Sequence, residues 1–85
     1  MGMVWQVLDD ALLMAEAKKL AHRLAAGPTL SYAAIKKAIN AAATNTLDQQ
    51  LDLERDSQRA LGRSEDFKEG VAAFLAKRPA QFSGR

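Results

Sequence analysis

Val4, Trp5, Val7 and Leu8 lie close together between Gly2 and Leu8, and this is the one stretch of the chain that reads as a strand. A strand needs a neighbour for its backbone N–H and C=O groups. No downstream segment alternates apolar and polar residues convincingly with period two, so the chain holds no partner for it. The other apolar residues recur at helical spacing. The expected fold is therefore all-α: a short extended segment over residues 1–9, then a module of about four helices over residues 10–85.

Periodicity and punctuation place the helices. Asp9 and Asp10 open the first, from about Ala11 to Ala25, as caps and as negative charge at the positive end of its dipole. Leu13, Ala17, Leu20, Ala21 and Leu24 form its stripe, and Gly27-Pro28 stops it. A second helix, about Ser31 to Ala43, lines Ala34, Ile35, Ala38, Ile39 and Ala42 along one small face suited to close packing. Thr46 and Gln49 have capping-box spacing before a third helix, Leu47 to Leu61, which ends at Gly62. Its Leu47, Leu51 and Leu61 share a face with Glu54 and Gln58, so that stripe is at most partly buried, or faces another subunit or a ligand.

The fourth helix, Ser64 to Arg78, has Ser64 at its cap and Glu65 and Asp66 in its first turn. Lys77 and Arg78 occupy the last turn, and Pro79 ends the helix. Phe67, Val71, Phe74 and Leu75 form its apolar stripe, with Phe67 and Phe74 read as core rather than as substrate contacts. Gly70, in mid-helix, costs about 1 kcal/mol relative to alanine, which implies another backbone packed closely there. Phe82 is the one candidate anchor in the tail.

A core for these helices is in short supply. Of 85 residues 48% are apolar, but 17 are alanine, and a domain this small buries only roughly 60–65% of the surface its unfolded chain exposes. Surface for a partner, either a second copy or another domain, is expected.

The absence of cysteine and the presence of a single histidine exclude disulfides, structural zinc sites, Fe–S clusters and thiol nucleophiles. His22 lies roughly opposite the first helix's stripe with no partner for a triad and reads as a surface residue. The carboxylates are cap residues or parts of mixed-charge faces, which leaves no catalytic candidate. The glycines at 2, 27, 62, 70 and 84 make no phosphate loop. Lys18-Lys19 and Lys36-Lys37 keep a weak nucleic-acid binder formally open, against Asp48, Asp52, Glu54 and Asp56. A stand-alone helical interaction module is the other alternative. No signal peptide or membrane span is visible, so the chain reads as cytoplasmic.

Taken in order, these segments resemble the C-terminal part of the crotonase superfamily, the enoyl-CoA hydratases and isomerases. The strongest stretch is Ser64-Glu65-Asp66-Phe67-Lys68-Glu69-Gly70-Val71-Ala72-Ala73-Phe74-Leu75-Ala76-Lys77-Arg78 with Phe82 beyond. It matches the family's closing pattern of Ser-Glu-Asp, Glu-Gly, Ala-Phe, Lys-Arg and a final Phe. Gly2-Met3-Val4 with Val7 resembles the last strand of the family's spiral sheet, and Leu24-Ala25-Ala26-Gly27-Pro28 with Lys36 the helix pair that follows. Pro79 stands one residue earlier than is usual. Trp5-Gln6-Val7 with Asp9-Asp10, and the run from Thr44 to Asp56, resemble the phenylacetate-degradation isomerases.

The resemblance implies a parent enzyme that converts ring-1,2-epoxyphenylacetyl-CoA to an oxepin-CoA, with a CoA thioester as substrate and no cofactor. It implies a trimer in which the C-terminal helices pack on the body and on neighbouring subunits and help cover the CoA site. Lys77, the lysine of the Lys-Arg pair, is then the CoA-facing candidate, beside its plain role of complementing the helix dipole. The oxyanion hole and catalytic carboxylates belong to the family's preceding spiral domain, so these 85 residues are expected to be inactive alone, a module for packing and oligomerisation.

Overall fold

A computed structural model describes residues 2–85. Four helices follow one another: α1 Asp10–Ala25, α2 Thr29–Ala42, α3 Leu47–Leu61 and α4 Glu65–Ala76. Residues 2–9 form neither helix nor strand, and no strand occurs among the described residues. The segment folds back toward α1, where the Arg23 guanidinium sits 5.8 Å from the centroid of the Trp5 ring, within cation–π range.

Each helix end has a local cause. Asp9 occupies the N-cap of α1, but its side chain makes no capping hydrogen bond, contrary to expectation; Asp10 in the first turn still meets the dipole. α2 begins at Thr29, two residues before the expected Ser31. Pro28, with φ −76°, sets a near-helical φ, and its carbonyl accepts the Ser31 and Tyr32 N–H groups. The capping box of α3 forms as expected: Gln49 N–H donates to Thr46 Oγ1 at 3.2 Å and Thr46 N–H to Gln49 Oε1 at 2.9 Å.

Gly62 keeps a right-handed φ of −63°, and the chain turns directly into Ser64, whose hydroxyl accepts the Phe67 N–H at 3.0 Å. α4 ends at Ala76, earlier than Pro79 would have forced. Lys77 adopts the left-handed conformation (φ 54°, ψ 43°), and Arg78 N–H bonds the Ala73 carbonyl at 3.1 Å while Lys77 N–H bonds that of Phe74 at 3.2 Å. This is a Schellman closure with lysine where glycine is usual.

Packing is close only between α2 and α3, a hairpin bridged by Gln50, whose Nε2 donates to the Ala38 carbonyl at 3.0 Å. The chain extends over 45 × 38 × 18 Å with a radius of gyration of 16.1 Å, against about 12 Å for a compact domain of this length. With helices about 10–12 Å across, 18 Å leaves no room for two full layers around a core. Ala73 is accordingly the one buried apolar residue among those described. Leu13, Phe67 and Phe74, expected in a core, are 55%, 53% and 82% exposed. Their stripes form as read from the sequence, but nothing in the described residues covers them.

Candidate functional site

The polar contacts that hold the tail converge on α4. After Lys77 the chain reverses and runs back along the helix as a strap. Two carboxylates on α4 hold it. Asp66, 4% exposed, accepts the N–H groups of Ser83 at 2.7 Å and Gly84 at 3.0 Å, with the Ser83 hydroxyl at 3.4 Å. Its own N–H donates to the Arg85 carbonyl at 2.8 Å. Three residues on, Glu69 receives a two-pronged contact from Arg78, with Nη2 at 3.2 Å from Oε2, and the Gln81 N–H at 3.1 Å. Paired, bidentate geometry of this kind is the strong form of the arginine–carboxylate contact.

These contacts account for the Glu69 pKa, which is lowered to about 2, first by the Arg78 hydrogen bond and then by the Gln81 N–H. The same pairing holds the Arg78 guanidinium above its usual range. Between the two clamps Phe82 is laid across Gly70. A Cβ built on Gly70 would meet the Phe82 ring at 3.6 Å, ordinary contact. The neighbour at Gly70 is thus an aromatic ring, and the expected close backbone is absent among the described residues.

Phe82 and α4 form one wall of an open groove of about 660 Å³, completed by Pro28 and Ile35 of the α2 region and Leu61 at the end of α3. Phe67, Val71 and Phe74 line it from α4. A second recess, about 400 Å³, lies where Trp5 and Leu8 meet Leu13, Leu20 and Arg23.

Lys77, the ligand-facing candidate, sits at the apex of the chain reversal just after groove residues Phe74 and Leu75. It is exposed, and its ammonium makes no ion pair or hydrogen bond among the described residues. His22 is exposed on α1, and no group of three His, Asp or Glu side chains able to hold a metal ion occurs among the described residues. The displacement of Glu69 runs opposite to what a general acid at neutral pH requires. Apolar walls with a cation close by in the chain can bind an amphiphilic anion; nothing among the described residues assembles an acid–base pair.

Sequence reading missed the roles of Asp66 and Glu69. Asp66 stood in a first turn, where a dipole explanation sufficed, and its partners lie 17 and 18 residues away beyond a reversal. Glu69 and Arg78 are 9 apart, outside the helical i, i+4 spacing that sequence alone can pair. A hint was present in Pro79 and Gly84, which make a returning tail plausible.

No helix among the described residues is long and apolar enough to cross a membrane. The Enoyl-CoA hydratase/isomerase family pattern matches residues 1–85. The chain is 61% identical over 84 residues to the 1,2-epoxyphenylacetyl-CoA isomerase of Escherichia coli (strain K12), covering 99% of this chain and 32% of that protein. It is 46% identical over 85 residues to a protein named probable enoyl-CoA hydratase from Rhodobacter capsulatus, covering 100% of this chain and 33% of the relative. Among solved structures, an enoyl-CoA hydratase from Polaromonas sp. JS666 superposes with a TM-score of 0.89 at 39% identity, covering 96% of this chain and 32% of that one. The chain thus spans about a third of the length of the relatives it matches. Helix order and these similarities agree with the resemblance drawn from the Ser64–Arg78 stretch: the chain belongs to the enoyl-CoA hydratase/isomerase family, the crotonase superfamily.

Proposed function

We propose that these residues are the C-terminal helical module of a longer cytoplasmic acyl-CoA isomerase of phenylacetate degradation, acting on ring-1,2-epoxyphenylacetyl-CoA. The observation that carries this reading is the 61% identity, sustained over 99% of the chain, to 1,2-epoxyphenylacetyl-CoA isomerase. The same alignment covers 32% of that enzyme, leaving most of its length to supply the reacting groups. In this reading residues 1–9 are the end of the preceding spiral domain, and the sheet that would pair them belongs to that domain.

The module's work is packing, oligomerisation and covering the CoA site. The uncovered stripes of α1 and α4 support it, because apolar surface of this extent favours burial against the body or a neighbouring subunit. Lys77 is assigned to the phosphates of CoA: it is exposed, uncompensated and adjacent in the chain to the groove's apolar wall. The module by itself is inactive, since the oxyanion hole that would stabilise a thioester enolate lies outside it.

The test is the intact mass of the native protein captured with an antibody against Phe67 to Phe82, followed by assay of the captured chain on ring-1,2-epoxyphenylacetyl-CoA. A chain much heavier than 9.2 kDa that forms the oxepin-CoA is the expected result. A native mass near 9.2 kDa, or a heavier chain that does not turn over this substrate, overturns the reading.

A further inference from the structure

The helix α4 stops abruptly, and the chain reverses on a single left-handed residue. That residue, Lys77, is the one non-glycine with positive φ among the described residues. Left-handed backbone is unfavourable for a residue carrying a Cβ and persists where its surroundings enforce it. The Schellman bonds to Ala73 and Phe74 close the turn locally, and contacts from the chain beyond Lys77 hold its exit direction. Arg78, directly after Lys77, lays its guanidinium back along α4 onto the Glu69 carboxylate, and the Gln81 N–H closes on the same carboxylate at 3.1 Å. The chain leaving Lys77 is therefore tied at two points, Arg78 and Gln81, to one side chain on the helix that precedes it.

Two consequences follow for Lys77. Its backbone direction is held by Glu69 through Arg78 and Gln81. Its charge is also left uncompensated, because the one nearby glutamate that the tail engages is already neutralised by Arg78. A cation held in place with no internal partner is prepared for an external anion.

We infer that Glu69 is a positioning residue: by clamping Arg78 and Gln81 it fixes the reversal at Lys77 and aims the Lys77 ammonium at the phosphorylated end of the acyl-CoA. This rests on the assignment of Lys77 to the CoA phosphates proposed above. Glu69 itself touches no ligand; it acts through the geometry of the next turn of chain.

The test uses the full-length protein that carries this segment and two probes, phenylacetyl-CoA and phenylacetyl-pantetheine, the second lacking the phosphorylated adenosine. Affinities are measured by titration calorimetry. Lys77→Ala is expected to weaken phenylacetyl-CoA about tenfold, in line with loss of a charge-assisted contact, and to leave phenylacetyl-pantetheine unchanged. Glu69→Gln and Arg78→Gln should each weaken phenylacetyl-CoA about fivefold with the pantetheine thioester again unaffected. Either change combined with Lys77→Ala should add nothing further, because the three act as one unit.

The outcomes separate the two claims. If Lys77→Ala leaves both probes unchanged, the assignment of Lys77 to CoA is wrong. If Lys77→Ala weakens the CoA probe but Glu69→Gln and Arg78→Gln do not, Lys77 binds and Glu69 does not position it. Equal weakening of both probes, or full additivity with Lys77→Ala, reduces Glu69 to a general structural role and also overturns the inference. Arg78→Gln breaks the same clamp from its other side and carries the test if Glu69→Gln does not fold.

Discussion

Asp66 accepts the backbone N–H of Ser83 at 2.7 Å from a position that is 4% exposed, and so joins the first turn of α4 to the far end of the tail. The Gly84 N–H shares the same carboxylate at 3.0 Å. Replacing Asp66 with alanine leaves these donors without their acceptor, at a cost of about 2–3 kcal/mol for the charged hydrogen bonds. The expected readout is local: Ser83 and Gly84 amides lose their hydrogen-exchange protection while those in the middle of α3 keep theirs. Retained protection at Ser83 in the Asp66→Ala chain would sink the idea that this carboxylate holds the strap.

The second clamp has a defined pH dependence. An unperturbed glutamate titrates near 4.5, whereas Glu69 in the folded chain titrates near 2. A carboxylate whose folded pKa is depressed stabilises the fold above its unfolded pKa and loses that contribution as pH falls toward the folded one. The stability contributed by the Arg78 contact is therefore constant from about pH 5 to 8 and is lost between about 4.5 and 2, the contact itself breaking only as Glu69 protonates near 2. A carboxyl-carbon NMR titration of Glu69 checks this, and a midpoint near 4.5 would show that the contact is not maintained in solution.

Gly70 tests whether the strap's ring is the whole of its surroundings. A methyl group there meets Phe82 at 3.6 Å, so Gly70→Ala fits and should raise the stability of α4 by up to about 1 kcal/mol through helix propensity. Gly70→Leu should instead displace Phe82 and lower the unfolding midpoint. Denaturant unfolding of both variants decides it; a destabilised Gly70→Ala in the full-length protein would reveal a close backbone from another domain or subunit.

The start of α3 depends on two reciprocal bonds between Thr46 and Gln49. Thr46→Ala removes the Oγ1 acceptor of the Gln49 N–H while keeping the backbone N–H that donates to Gln49, at a cost of about 1 kcal/mol, whereas Thr46→Ser should be nearly neutral. Thermal unfolding of the two variants provides the comparison. Equal unfolding temperatures for the alanine and serine variants would mean that the box contributes nothing.

A polypeptide of residues 2–85 by itself should not remain a dispersed monomer. Leu13, Ile39, Phe67 and Phe74 are all more than half exposed, and no second layer covers them. Self-association or rearrangement at micromolar concentration is the expected outcome, seen by sedimentation velocity and by binding of a hydrophobic dye. A monomer with a single cooperative thermal transition would contradict it.

Much of the molecule was legible in residue order because the signals involved are short-range. Thr46 with Gln49 and Ser64 with Phe67 satisfy helix N–H groups within one turn, so the starts of α3 and α4 could be placed from spacing alone. The stripes of α1 and α4 are likewise a property of 3.6-residue periodicity. The left-handed end at Lys77 was not legible, since lysine has no preference for that conformation and the Glu69–Arg78 contact that backs the local closure spans nine residues across the reversal.

By itself the sequence determined four helices, the N-caps of α3 and α4 and the family resemblance, all of which depend on residues within a turn or on a matching run of residues. The tertiary structure decided that Asp66 and Glu69 hold a strap, that Phe82 rather than a backbone faces Gly70, and that Phe67 and Phe74 stand uncovered. The physical reason is range. A cap is satisfied by atoms a few residues away, but a buried carboxylate finds its donors only after the chain has reversed, and an apolar stripe is core only when a second surface covers it.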